Sequence, residues 1–338
     1  SGNAWIGDLS NLFMKSIDIN STSGTIPESL FATFQMTFAI ITPALIIGAF
    51  VERIKFSAML IFISLWVIIV YVPVTHWVWG GGILSSWGTM DFAGGIVVHA
   101  TAGTAALVTA LTLGKRRGFP KSLTPPHSPI LTMIGAAMLW IGWFGFNAGS
   151  ALGANSSAGM AMLVTHISAS TSALVWMFIE WRRFGKPSLI GVVTGMVAGL
   201  ATVTPASGYI GIPGGLILGL SGGLLCYLAV DYIRGKLQID DSLDVFAVHG
   251  VGGILGTLLV AFLATSTFSG LGLPEGQTAI SQFIVQFKAV VLTVIWTSVF
   301  TYLILKATSL IVPLRVEEQE EIEGLDLRSH GEKGYHSD

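Results

Sequence analysis

The chain is 338 residues long, and 52% of its residues are apolar whereas only 11% are charged. A soluble domain carries roughly 25% charged residues, so this composition excludes an ordinary soluble protein and indicates an integral membrane protein. The net charge is −2 and no basic run could follow a phosphate backbone, so we expect no nucleic-acid partner. Cys226 is the single cysteine, which excludes a disulfide framework.

Apolar stretches of about 20 residues, long enough to cross a membrane as helices, recur along the whole chain. We place nine of them, at 30–51, 57–74, 92–113, 129–147, 157–180, 189–207, 213–232, 244–265 and 279–312. They predict an all-α, polytopic membrane helix bundle over 30–312, between an N-terminal segment 1–29 and a C-terminal tail 313–338. The opening "SGNAWIGD" resembles the middle of a loop, so we expect further sequence before it.

Lysine and arginine are distributed unevenly between the connections. The connections after the first, third, fifth and seventh spans hold Arg53, Lys55, Lys115, Arg116, Arg117, Lys121, Arg182, Arg183, Lys186, Arg234 and Lys236. The alternate connections hold no lysine or arginine. By the positive-inside rule, the N-terminal segment is external and the C-terminal tail is cytoplasmic. We expect a multi-pass protein of the cell's inner (plasma) membrane.

Two histidines interrupt otherwise apolar spans, His99 in "GGIVVHATAG" and His249 in "VFAVHGVGGILG". Each lies eight residues after an aspartate, Asp91 or Asp241, where a helix N-terminus favours a negatively charged cap. Because the two spans run in opposite directions, each imidazole lies about 12 Å from its own face of the membrane, near the midplane. The side chains can touch if the two spans are neighbours, which spacing alone does not establish.

The segments around the two histidines resemble each other. Val98-His99-Ala100-Thr101-Ala102-Gly103 aligns with Val248-His249-Gly250-Val251-Gly252-Gly253. Two such helices of opposite direction are typical of an inverted-topology repeat with a site at the midplane. An intramembrane ionisable group is by default a functional candidate.

Other interpretations of the histidines stay open. In one alternative, a backbone carbonyl accepts the hydrogen bond of either imidazole, which then has only a structural role. In another, the histidines belong to a metal site, which would need three or four ligands. We expect no metal, because the sequence contains neither HExxH nor CxxC. His166, in "LVTHISAS", is a third intramembrane candidate, whose serine and threonine neighbours favour a hydrogen-bonded packing role. The remaining histidines fall in loops or the tail, where we expect them to be solvated: His76, His127, His330 and His336.

Aromatic residues concentrate at the predicted outer ends of three spans: Phe31, Phe34, Phe38, Trp77, Trp79, Trp143, Phe144 and Phe146. An aromatic belt at the membrane interface explains such residues in general, Trp77 and Trp87 among them. Several rings converging with a hydroxyl on one funnel would instead attract a small cation.

Seven collinear stretches, "AFVERIKFSAMLIF", "HWVWGGG", "DFAGGIVVHATAG", "WIGWFGFNAGSA", "TPASGYI", "DDSLDVFAVHGVGGILG" and "GLDLRSHGEKGY", together resemble the ammonium transporters of the Amt/Mep/Rh superfamily, on the Amt side. The resemblance implies eleven helices around a pore, an inverted repeat of the first five and next five, and a homotrimer. Nine spans are present here, so the chain is expected to lack the family's first two helices.

Position by position, the resemblance implies roles for individual residues. It puts the twin pore histidines at His99 and His249, ammonium recruitment at Phe34, Trp79 and Ser150, and the gate of the outer mouth at Phe38 and Phe146. It also implies a buried supporting acid at Asp91, a vestibule residue at Thr204, and the cytoplasmic start of the second histidine helix at Asp240, Asp241 and Asp244. The tail resembles the segment that couples subunits and helps PII-type signalling proteins close the pore.

The sequence thus favours a transporter without cofactor or enzymatic activity. It would capture ammonium at the outer mouth, remove a proton, and conduct ammonia past the twin histidines while the proton moves separately. Three alternatives stay open: an Rh-like gas channel, an ammonium sensor that signals through PII-type partners, and an intramembrane metalloenzyme.

Overall fold

Nine apolar helices run through residues 2–335, which the computed structural model describes, in the order that the sequence predicts. They are α1 Glu28–Ile47, α2 Phe56–Ser86, α3 Gly95–Leu113, α4 Pro129–Gly149, α5 Ser156–Phe184, α6 Leu189–Val203, α7 Ile212–Lys236, α8 Phe246–Leu263 and α9 Ala279–Ile311. Eight of these helices are long and apolar enough to cross a membrane, and α6 is a shorter apolar helix of 15 residues. The prediction of a bundle of apolar helices that could cross a membrane is confirmed.

The described residues outside these helices form few regular elements. A two-stranded antiparallel hairpin, β1 Thr22–Ser23 and β2 Ile26–Pro27, precedes α1. A short helix, α10 Glu318–Glu323, and a helical turn over Asp326–His330 follow α9. His336, which is predicted to be solvated, lies outside the described residues.

Five helices end four or more residues from their predicted ends, and two of these five, α6 and α2, have a proline at the difference. Helix α6 stops at Val203 because Pro205, two residues later, has no N–H to continue the hydrogen-bond ladder. Helix α2 continues past the predicted end at 74 although Pro73 lies within it. A π-helical turn over Val67–Tyr71 directly precedes that proline and rearranges the ladder there.

Several helices begin at a side-chain cap. The Ser128, Asn155 and Ser188 side chains each accept a hydrogen bond from a backbone N–H in the first turn of α4, α5 and α6 respectively. Thr278 and Ser281 form a reciprocal capping box at the start of α9. Such caps satisfy N–H groups that have no partner within the helix, which explains why the helices begin where they do.

Helices α3 and α8 occupy the centre of the bundle. In their most apolar 18-residue windows, 78% of α3 and 61% of α8 is buried, compared with 11% of α4. The two central helices are rich in glycine, alanine and threonine, and small residues allow helix backbones to approach closely. The helices that carry His99 and His249 are therefore packed at the core.

A charged cluster joins three connections at the end of the bundle where α8 begins. The Arg116 guanidinium donates to both carboxylate oxygens of Asp240, at 2.9–3.1 Å, and to Glu52 at 2.8 Å. Arg53 is fully buried and donates to the Ser242 hydroxyl and the Asp240 carbonyl. Although burial raises the pKa of Asp240, its hydrogen bonds and charge contact with Arg116 hold that pKa below its usual value.

The C-terminal segment packs against this charged cluster. The Lys55 N–H donates to the Leu314 carbonyl, and the Val316 N–H donates to the Arg53 carbonyl. Arg315 forms an ion pair of 2.7 Å with Glu321, whose other carboxylate oxygen accepts from the backbone N–H of Arg117. These bonds hold the segment after α9 against the connection between α3 and α4.

Candidate functional site

The two intramembrane histidines are in contact. The Nδ1 atoms of His99 and His249 lie 3.2 Å apart, and the two rings are stacked with centroids 5.2 Å apart. His99 is 1% and His249 is 7% exposed. Sequence spacing alone could not establish that the two histidine helices are neighbours. In the structure α3 and α8 are neighbours, and their imidazoles touch.

The close crossing of α3 and α8 depends on glycine. A Cβ added at Gly103 would lie under 3.0 Å from the Cα of Gly250, and one at Gly253 would lie under 3.0 Å from the Cβ of His99. Each histidine also lies on a π-helical turn, Gly95–Ala100 in α3 and Phe246–Gly250 in α8. π-Turns of this kind are frequent at functional sites.

The Nδ1–Nδ1 contact restricts the tautomers of the neutral pair. One Nδ1 must donate and the other must accept, since a neutral imidazole carries one N–H. The Nε2 of the donating ring is then an acceptor, and the Nε2 of the accepting ring is a donor. Nε2 of His99 is buried and has no hydrogen-bond partner among residues 2–335. The pair can thus offer one donor and one acceptor to a small polar molecule.

Trp143 also stacks on the His99 imidazole. The two rings are stacked with centroids 5.5 Å apart and an interplanar angle of 14°. The Trp143 indole N–H donates to the Thr204 hydroxyl at 2.9 Å, and that hydroxyl donates to the Leu200 carbonyl at 2.7 Å. Thr204 is fully buried, so it contacts the site through Trp143. The sequence places Trp143 among the aromatic residues without a role of its own. Its spacing of three from Phe146, on one helix face, is the signal that could have assigned it to the site.

Four aromatic rings cluster at one end of the site, and we call Phe34, Phe38, Trp79 and Phe146 the aromatic cluster. Phe38 lies at its centre, with centroid distances of 4.9 Å to Phe34, 5.3 Å to Trp79 and 4.5 Å to Phe146. Ser150 lies one turn beyond Phe146 and donates its hydroxyl proton to the Phe146 carbonyl at 2.8 Å. The structure thus brings the four predicted aromatic residues together.

Asp91 caps the His99 helix and also contacts the aromatic cluster. Its carboxylate accepts from the backbone N–H groups of four residues at the start of α3, at 2.6–3.2 Å: Gly94, Gly95, Ile96 and Val97. Its backbone carbonyl accepts from the Trp79 indole N–H at 2.8 Å. Four N–H donors fit an ionised carboxylate, which has acceptors only. The predicted cap is confirmed.

An apolar cavity of about 670 Å³ lies beside the two imidazoles and reaches the aromatic cluster. It is lined by Phe34 and Phe146 of the aromatic cluster, by Trp143, and by both imidazoles. Most of its other lining side chains are aliphatic: Ile41, Leu45, Val98, Met138, Leu139 and Val197. A bare ion in such surroundings would lose hydration that these side chains cannot replace.

Carboxylates also surround the beginning of α8. Asp241 accepts from the Phe246 N–H at 2.7 Å, as the predicted cap requires, and burial raises its pKa to about 6. Asp244 has a positive φ of 56° and lies 3.9 Å from the Arg234 guanidinium. Burial raises the pKa of Asp244 to about 7, although the Arg234 charge opposes this shift.

The other histidines lie away from this cavity. His166 is exposed, and its ring packs on the rings of Trp140 and Phe144 at 5.1 and 6.1 Å, so ring contacts replace the hydrogen-bonded packing expected for it. His76 is half-buried and bonds to the Asn3 carbonyl, rather than being only solvated. Within residues 2–335, no three histidine, cysteine, aspartate or glutamate side chains come together as a metal site.

The helices and the histidine-lined cavity define the class of a multi-pass membrane protein with an apolar cavity between its helices. A sequence model of the Ammonium Transporter Family matches residues 1–335. The chain is 50% identical over 316 residues to the putative ammonium transporter of Methanothermobacter thermautotrophicus, covering 92% of this chain and 76% of that protein. It is 47% identical over 311 residues to the ammonium transporter Amt1 of Archaeoglobus fulgidus, covering 91% and 78%. The chain belongs to the ammonium transporter family.

Solved structures show the same similarity. A structure described as a sensor Amt protein superposes with a TM-score of 0.88 at 30% identity, covering 98% of this chain and 83% of that one. Mep2 of Candida albicans superposes with a TM-score of 0.85 at 34% identity, covering 95% and 73%. The matching relatives are named as transporters, which supports a transport function and not an enzymatic one.

Proposed function

We propose that this protein transports ammonium by conducting neutral ammonia through the apolar cavity past the His99–His249 pair. The observation that carries this proposal is the contact between two buried imidazoles in a cavity whose other walls are apolar. Such a cavity strongly disfavours a bare ion but admits a small neutral molecule whose hydrogen bonds are partly replaced.

Capture of the cation would precede this step, at the aromatic cluster. Aromatic faces attract a desolvated cation by about 2 kcal/mol or more. Phe34 and Trp79 supply such faces, and the Ser150 hydroxyl oxygen lies nearby as an acceptor. Phe38 and Phe146, with centroids 4.5 Å apart, are proposed as the gate, because Phe38 contacts the rings of this mouth and Phe146 stacks on the His99 ring.

Deprotonation would follow at the gate: ammonium would give its proton to water at the mouth or to the imidazole pair, and ammonia would enter the cavity uncharged. The imidazole pair would accept one hydrogen bond from ammonia and donate one to it. A proton can also move along two touching imidazoles, since each ring both binds and releases one near neutral pH in water. Transport is electrogenic if that proton follows. Potassium has no proton to lose, so the same cavity would reject it.

The placement of the chain in the membrane is part of this proposal. We propose that segment 1–29 is external, that 30–312 span the inner (plasma) membrane as nine helices, and that the tail 313–338 is cytoplasmic. The inverted repeat is supported by the paired π-turns and by the aspartate eight residues before each histidine. Helix α4 leaves most of its apolar surface exposed, which fits a homotrimer.

A sensory function is the second candidate, favoured by the similarity to the sensor Amt structure. The C-terminal segment is bonded to the connection between α1 and α2 and to the end of α3 with the connection after it, so it could report a change there to a PII-type partner. Pull-down of PII proteins with the full-length protein, with and without ammonium, tests this candidate. Capture that is independent of ammonium would contradict it.

The transport proposal is tested by replacing the imidazoles. We expect His99→Ala, His249→Ala and the double variant in proteoliposomes to lose methylammonium current or its selectivity over potassium. His166→Ala is the matched control, because that imidazole lies outside the cavity, and it should transport normally. Unchanged current and selectivity in the double variant would refute the proposal. A saturable current that depends on membrane potential would distinguish this transporter from an Rh-like gas channel.

A further inference from the structure

Two glutamines one turn apart, Gln282 and Gln286, are fully buried on the face of α9 that packs into the bundle. Burying an amide without hydrogen bonds is costly, so a buried glutamine in an apolar helix normally has specific partners. Neither residue lines the cavity that contains the imidazoles. Their partners lie instead on the connection that leads into α3.

Gln286 pairs with both polar groups of the Met90 backbone. Its Oε1 accepts from the Met90 N–H at 2.8 Å, and its Nε2 donates to the Met90 carbonyl at 2.7 Å. This two-point pairing fixes both the position and the orientation of that backbone unit, as a neighbouring strand would in a sheet. A single apolar side chain could not reproduce it.

The same amide also reaches the second histidine helix. Nε2 of Gln286 donates to the Thr257 carbonyl in α8 at 2.9 Å. Gln282 supports this arrangement, because its Nε2 donates to Gln286 Oε1 at 3.2 Å and to the Gly88 carbonyl at 3.0 Å. Gln286 therefore connects three elements: α9, α8 and the segment 88–91.

Met90 immediately precedes Asp91, which has two functions in the site. The Asp91 carboxylate caps α3, and its carbonyl holds the Trp79 indole in the aromatic cluster. We propose that Gln286 is a positioning residue for cation capture: by fixing Met90 and Asp91, it orients the Trp79 ring toward the cation. This inference rests on the proposed function, because it assigns Gln286 a part in capture at that same mouth.

The inference is tested with Gln286→Leu and Gln286→Glu in the full chain, measuring methylammonium uptake into proteoliposomes per folded protein. Leucine removes all four hydrogen bonds of the Gln286 side chain, including the one that it accepts from Gln282. Glutamate retains an acceptor for the Met90 N–H, so it keeps the test informative if the leucine variant fails to fold. Thr293→Val is the matched control, since Thr293 is buried on the same helix and its hydroxyl has no partner among residues 2–335.

We expect Gln286→Leu to raise the KM for methylammonium about tenfold with a much smaller change in maximal rate, which corresponds to about 1.4 kcal/mol of binding. Gln286→Glu should give a smaller increase, and Thr293→Val none. In a Trp79→Leu background, Gln286→Leu should add almost no further increase in KM, because both variants remove the same interaction.

Three outcomes overturn the inference. A purely structural role would lower the amount of folded protein and leave KM unchanged in both Gln286 variants. Additive effects of the Gln286 and Trp79 replacements would show that Gln286 does not act through Trp79. If Trp79→Leu alone leaves KM unchanged, capture at the aromatic cluster fails and this inference fails with it; if only the Gln286 variants leave KM unchanged, the capture proposal stands alone.

Discussion

Replacing Gly103 by alanine tests whether the crossing of α3 and α8 holds the imidazoles together. The new methyl group would lie under 3.0 Å from the Cα of Gly250, where the neighbouring atoms are backbone and cannot rotate away. Carbon atoms in contact lie about 3.5–4.0 Å apart, so the helices must separate by at least about 0.5 Å.

That separation acts directly on the histidine pair. Gly103 lies one turn after His99, and Gly250 is adjacent to His249. A displacement of this size would lengthen the Nδ1–Nδ1 distance from 3.2 Å to at least about 3.7 Å, beyond normal hydrogen-bond reach. Losing one buried hydrogen bond costs about 1–3 kcal/mol, which corresponds to a loss of transport of about fivefold to about 160-fold.

The assay is methylammonium current in proteoliposomes, normalised to folded protein. Overpacking should also cost about 1–3 kcal/mol of stability, measured as a lower Tm in detergent. Gly159→Ala in α5 is the matched control, because a Cβ there would meet no atom within 4 Å. Wild-type current from folded Gly103→Ala protein would show that the reasoning from this helix crossing is wrong.

Three further replacements probe the surroundings of the cavity. Asp91→Asn should lower the Tm in detergent, at a cost of about 1.5–3 kcal/mol, because an amide offers one acceptor to four N–H donors; an unchanged Tm would contradict the cap. Thr204→Val should reduce methylammonium current by leaving the buried Trp143 N–H unpaired, whereas Thr202→Val should not, since the partners of the Thr202 hydroxyl are the Ala198 carbonyl and the Cys226 thiol and not Trp143. Asp244 keeps its proton up to a pKa of about 7 in the fold, but an exposed aspartate ionises near pH 4, at about 3.9. The contribution of Asp244 to stability should therefore fall as pH rises from about 4 to about 7, so the Tm of Asp244→Asn, which tolerates the positive φ, should rise relative to the wild-type Tm over that range.

The two histidine helices and their aspartate caps could be predicted, because the residues that specify each of them lie within one segment of the chain. Apolar length predicts the helices, and an aspartate eight residues before each histidine predicts two capped helices that place the imidazoles at similar depth. Two of the helices that end elsewhere than predicted have a proline at the difference. The end of α6 at Val203 could have been predicted from Pro205, but the continuation of α2 through Pro73 depends on a π-turn, which apolar patterning does not reveal.

Other parts of the site depend on residues far apart in the sequence. Trp143 stacks on His99 because Thr204 holds its indole N–H, and nothing local to either residue indicates that bond. Gln286 lies 196 residues from Met90, and its two-point pairing is decided by how α9 packs. Arg53, counted from the sequence as a basic residue of a connection, is fully buried beside Asp240.

By itself, the sequence determined the class of protein, the apolar helices and the two histidines with their aspartate caps, because hydrophobicity and capping act within one segment. Only the tertiary structure decided that the imidazoles touch, that four aromatic rings converge at one end of their cavity, and that a glutamine of α9 supports the mouth. Those contacts form between helices, where the absence of side chains at Gly103, Gly250 and Gly253 sets how closely two backbones approach.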